Sequence, residues 1–116
     1  MVSIDEVGNI TVTRGDTLEI PVLTYADEAQ SEVYRLAEGE KFRFRLRAFG
    51  DGEAVYEEYI TAQAEDGSFL IALSAAQTAE LLNYAYLFDL ALISADGAEQ
   101  YTFFGGEELK KTLRVV

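Results

Sequence analysis

The segment from Lys41 to Ala48 alternates without a break. Phe42, Phe44, Leu46 and Ala48 fall on one side, and Arg43, Arg45 and Arg47 on the other. A helix would scatter these two sets around its circumference, whereas a strand points successive side chains to opposite faces. The segment is therefore a strand with one apolar and one cationic face. Such a strand needs partners beside it and a second layer over its apolar face. The chain of 116 residues fits one domain, spanning 1–116, and buries about two-thirds of its unfolded surface on folding. It contains no cysteine, so the core must suffice without disulfides.

Other short apolar stretches follow, separated by turn signals, a pattern that reads as a sandwich or barrel. Strands are expected over Asn9–Thr13 and Thr17–Leu23, joined by a turn at Arg14, Gly15 and Asp16. Pro21 lacks a ladder donor, so the second strand belongs at an edge or carries a bulge. Thr24–Glu32 reads as a loop, Val33–Leu36 as a short extended piece, and Glu38, Gly39 and Glu40 as a turn. A hairpin through Gly50, Asp51 and Gly52 leads into Ala54–Thr61, where Glu57 and Glu58 can pair with the arginines across the strands. Asp66 and Gly67 turn into Ser68–Leu73. Ser74 and Gln77 form a capping box for a helix over Ala75–Leu82. Tyr84–Ile93 is apolar throughout and reads as a central strand buried on both faces. Ala95, Asp96 and Gly97 turn into Glu99–Phe104, Gly105 and Gly106 break the pattern, and Leu109–Val116 closes the chain as a last strand.

The net charge of −12 argues against nucleic acid and against anionic membranes. With no histidine and no cysteine, the usual catalytic base, the usual thiol nucleophile and the common zinc ligands are all missing, so an enzyme is not expected. No cofactor is expected either. Asp51, Glu53, Asp66 and Asp96 offer oxygen to calcium, but they lie in separate turns and read as turn residues. Arg14, Gly15 and Asp16 spell an integrin-type tripeptide whose position reads as an ordinary turn. The N-terminus lacks the basic start and apolar stretch of a signal peptide, which points to the cytoplasm.

Two features point to binding. The row Arg43, Arg45 and Arg47 reads as a strand face neutralised by Glu57, Glu58 or another strand's carboxylates, or as part of an interface. Tyr25, Tyr34, Tyr56, Tyr59 and Tyr101 are too many to bury in so small a sandwich, so some are expected to form an exposed aromatic patch. Tyr86, two residues before Phe88, resembles the tyrosine corner of immunoglobulin-like domains.

The order of signals resembles the N-terminal domain of phage baseplate upper proteins. The matching stretches are Asn9–Thr17 with the strand after it, Glu38–Phe44, Asp66–Leu73, Thr78 with Leu81 and Leu82, Tyr86–Leu90, and the break at Gly105 and Gly106. The resemblance implies an immunoglobulin-like antiparallel β-sandwich of seven to eight strands, with one short helix between late strands. It also implies a structural role in a phage or prophage tail through protein partners or self-association, and a final location in the virion. The alternative is a carbohydrate- or surface-binding module using exposed tyrosines. A third reading is an inhibitor domain that turns its acidic surface to a basic target.

Overall fold

The computed structural model of the chain describes residues 2–4, 8–26, 31–49, 53–104 and 111–116. Among these, nine strands and one helix follow in order: β1 (Val2–Ile4), β2 (Ile10–Val12), β3 (Leu18–Val22), β4 (Lys41–Ala48), β5 (Ala54–Ile60), β6 (Phe69–Leu73), α1 (Ala75–Ala79), β7 (Ala85–Ile93), β8 (Glu99–Phe104) and β9 (Lys111–Val115). The alternating strand Lys41–Ala48 has the bounds its pattern predicts. The expected seven to eight strands gain one member, the short β1.

The fold is an all-β sandwich. A seven-stranded sheet runs β1, β2, β9, β7, β4, β5, with β8 also paired to β7. β8 and β9 share one edge of β7: β9 pairs with Ala85–Phe88 and β8 with Leu90–Ile93. β3 and β6 form a separate antiparallel pair. Pro21 therefore lies on an edge strand, where its missing N–H costs no ladder bond. One pairing departs from the antiparallel expectation: β2 runs parallel to β9, so the first and last parts of the chain lie side by side. Local alternation sets which side chains share a face, but the direction of a distant neighbour is a non-local matter.

The core lies between the two sheets. Phe42, Phe44 and Leu46 of β4 face Leu18 and Ile20 of β3 and Phe69, Ile71 and Leu73 of β6. Phe42 and Phe69 stack across the layers at 4.1 Å between ring centroids, and Phe44 packs on Phe88. β7 is buried along nearly its whole length, as its apolar run predicts.

The turns and caps follow local chemistry. The Ser74–Gln77 capping box is present in both directions. The helix ends at Ala79, earlier than the expected Leu82. Leu81 turns into the core. Side chains satisfy the backbone beyond the helix: Arg14 Nε donates to the Leu81 carbonyl, and the Asn83 N–H donates to the Tyr86 hydroxyl. That last bond is the return of a buried tyrosine to upstream backbone that the corner motif implied. Thr78, fully buried, accepts the Gly15 N–H and donates to the Asp16 carbonyl, so the turn at Arg14–Asp16 is clamped to the helix. At Val33–Leu36 the expected extended piece reduces to a single bridge between Tyr25 and Val33. The Gln63 amide takes over the pairing, donating to the Tyr34 carbonyl and accepting the Leu36 N–H. Gly67 has φ of 91°, and a Cβ there would meet Val33 Cγ1 at 2.5 Å, so the turn requires glycine. The expected turn at Gly50–Gly52 and the break at Gly105 and Gly106 fall outside the described residues.

Candidate functional site

Register places the basic residues of β4 on the face of the large sheet that points away from the small one. Arg43 lies between Tyr59 of β5 and Ala91 of β7, and Arg45 lies between Glu57 and Asp89. Arg114 of β9, opposite Ala85, shares this face, and so does Lys41, whose ammonium sits 4.7 Å from the Tyr59 ring centroid.

The neutralising carboxylate is Asp89. It is 3% exposed. Arg45 donates from Nε at 3.2 Å and from Nη2 at 3.1 Å to the same carboxylate oxygen, and Arg43 Nη2 lies 3.6 Å from the other. A buried carboxylate is tolerable only when paired and hydrogen-bonded; Arg45 hydrogen-bonds Oδ2, whereas Oδ1 accepts no hydrogen bond and is held by the ion pair to Arg43. The two expected glutamates do not. Glu57 stands beside Arg45 but makes no ion pair among the described residues; its carboxylate accepts the Tyr59 hydroxyl. Glu58 lies opposite Phe44, so it faces the inter-sheet side and not the arginines. Arg47 differs from its neighbours. A register shift after Leu46 sets it opposite Ala54 and Leu87, and no carboxylate reaches it among the described residues. Its Nε is buried without a hydrogen-bond partner.

Arg43 and Arg45 are thus tied to the stability of the sheet, and changing them to serine exposes a buried charge to an apolar surrounding. Arg47 is the member of the row whose replacement leaves the fold's ion pairs in place.

The five tyrosines do not assemble into one exposed patch. Tyr34 is half-buried and packs edge-on against Phe42 and Phe103. Its hydroxyl donates to Glu40, and burial first, then that carboxylate, pushes its pKa up to about 12. Tyr56 is also half-buried. Its hydroxyl donates to Glu58 and reaches the Ala72 carbonyl of β6 at 3.4 Å, with its pKa likewise pushed up to about 12 by burial and then by Glu58. Tyr25 is half-buried at its bridge to Val33. Tyr59 and Tyr101 are more than half exposed, but on opposite faces: Tyr59 pairs with Arg43, whereas Tyr101 pairs with inward-facing Leu92 and packs on Phe103. Alternation alone could not have shown this, since the face of each tyrosine follows from its strand partner. Tyr84 and Phe49, which the count of candidates omitted, are exposed as well.

Asp66 and Asp96 serve their own turns. Asp66 accepts the Ser68 N–H and hydroxyl, and Asp96 accepts the Ser94 hydroxyl and the Ala98 N–H. These bonds hold both carboxyls below the usual range. Asp51 lies outside the described residues. Among those described, no three acidic side chains converge in a group that could hold a metal ion. A cleft of about 540 Å³ opens where β5 meets β6, lined by Glu58, Tyr59 and Ile60 on one side and Ser68, Phe69 and Leu70 on the other.

Asp89 belongs to no motif, and its signal in the sequence is a single carboxylate inside the apolar run Tyr84–Ile93. No family model, curated protein or solved structure matches the chain.

Proposed function

We propose that the domain is a non-enzymatic assembly module that associates with further copies of itself, its cationic sheet face meeting the acidic surface of the next copy. The observation that carries this reading is the segregation of charge. Five of the chain's nine basic residues (Lys41, Arg43, Arg45, Arg47 and Arg114) share one sheet face, while the chain as a whole is −12. Glu57 and Asp89 are carboxylates that share that face, and the register also sets Glu99 of β8 opposite Ile93, the strand partner of Lys41. A basic face against an otherwise acidic body favours a head-to-tail contact, which closes into rings or extends into stacks. The setting of a phage or prophage tail is supported by the sequence resemblance to baseplate upper proteins. The carbohydrate-binding reading needs aromatic rings on one surface, and the placement of Tyr59 and Tyr101 on opposite faces weighs against it.

Arg47→Glu tests the proposal without touching the Asp89 ion pairs. The expected result in sedimentation velocity is self-association weakened by about tenfold, the loss of roughly one favourable charge contact, with thermal unfolding unchanged. Undiminished association of a folded variant would overturn it.

A further inference from the structure

A second surface, the edge of the large sheet beyond β4, borders the arginine face and shares Glu57 and Tyr59 with it. β5 is the last strand of the large sheet, and among the described residues it pairs with β4 alone. Its seven residues contain no proline, so each outward N–H can donate, and no described strand pairs with that side. The free edge runs into the cleft shared with β6, which is lined by Tyr59 on one side and by the exposed Leu70 on the other.

The charges on this edge are matched from one side only. Arg45 stands between Glu57 and Asp89 in register and gives both its Nε and its Nη2 to Asp89. Glu57 is left with the Tyr59 hydroxyl and Glu58 with the Tyr56 hydroxyl. Neither glutamate has a cation within ion-pair distance among the described residues. Being adjacent in a strand, they flank the edge on opposite faces.

We propose that the free edge of β5 accepts an extended segment of another protein as an added strand, and that the segment carries two adjacent basic residues. Adjacent side chains of an added strand also point to opposite faces, so one cation meets Glu57 and the other Glu58. Main-chain hydrogen bonds hold such a strand, and side chains choose it. A second copy of β5 is the poorer occupant: it brings no basic residue to Glu57 or Glu58, and antiparallel self-pairing centred on Glu57 sets glutamate against glutamate, which is destabilising.

The test uses the full chain and a synthetic decapeptide of alternating Thr and Val with two adjacent lysines at its centre. Binding is followed by fluorescence anisotropy at low salt, and amide exchange is read across residues 54–60. The expected result is binding with slowed exchange confined to 54–60 and its flanks. A peptide N-methylated on alternate residues along its pairing edge should not bind, and Glu57→Lys should weaken binding by about tenfold, consistent with loss of a cross-strand charge pair and gain of a like-charge one. Glu57 is exposed but lies opposite Arg45, so thermal unfolding of Glu57→Lys is measured alongside; Glu58→Gln is the second variant, adds no like charge, and should weaken binding in the same direction. Exchange unchanged over 54–60, equal binding of the N-methylated peptide, or indifference to Glu57→Lys would each overturn the proposal.

Discussion

Phe42→Ala is expected to destabilise the domain by about 3–5 kcal/mol, the range for truncating a buried aromatic. Phe42 is fully buried and joins the two sheets through its stack on Phe69. It also supports the edge contacts of Tyr34 and Phe103, so its removal opens a cavity bordered by three other rings. The neighbouring parts are poorly able to collapse into that space, because β4 is held by strands on both sides. Urea unfolding should show a lower midpoint with an unchanged slope, since the surface exposed on unfolding is nearly the same. Tyr59→Ala, at an exposed position on the opposite face of the same sheet, should shift the midpoint little. Equal effects of the two changes would mean that the small sheet does not pack on Phe42 as described.

Removing both cations from Asp89 is expected to be nearly as costly. Arg43→Ser with Arg45→Ser leaves a carboxylate buried with no compensating charge, and breaking a buried pair from one side costs about 3–5 kcal/mol. Adding Asp89→Leu to the double variant should recover much of that loss, because the unpaired charge is gone and an apolar side chain takes its place. The recovery is the discriminating feature. A triple variant that is less stable than the double variant would show that Asp89 is stabilised by something other than the two guanidinium groups. The same argument explains why a serine replacement of the whole arginine row would confuse unfolding with loss of assembly, and why Arg47 is the informative position.

Much of the architecture was legible from alternation. The bounds of β4, the inward set Leu18, Ile20 and Val22, the buried run of β7 and the capping box at Ser74 all follow from periods of two residues or from local hydrogen-bonding chemistry. What alternation cannot give is the identity of the neighbouring strand. The cationic row was visible, but its counter-charge was open among Glu57, Glu58 and other carboxylates until β7 was seen beside β4. Glu58 is the clearer case. Its spacing from Glu57 already put the two on opposite faces, yet which of them shared the arginine face depended on the hairpin register. The helix end and the Val33–Leu36 segment departed from expectation for a related reason. Distant side chains, Arg14 and Gln63, satisfied backbone groups that local pattern would have assigned to more helix or more strand. The tyrosines were countable in the sequence, but their grouping depended on which strands paired and in what order.

Self-assembly through the cationic face is tested most directly by the mass of the unmodified chain in solution. Size-exclusion chromatography with light scattering, run over a wide concentration range at low and at high salt, reads it. Self-assembly gives a defined multiple of the protomer mass, or a ladder of such multiples, that grows with concentration and shrinks as salt screens the contact. A single protomer mass at every concentration and at both salt levels would contradict it.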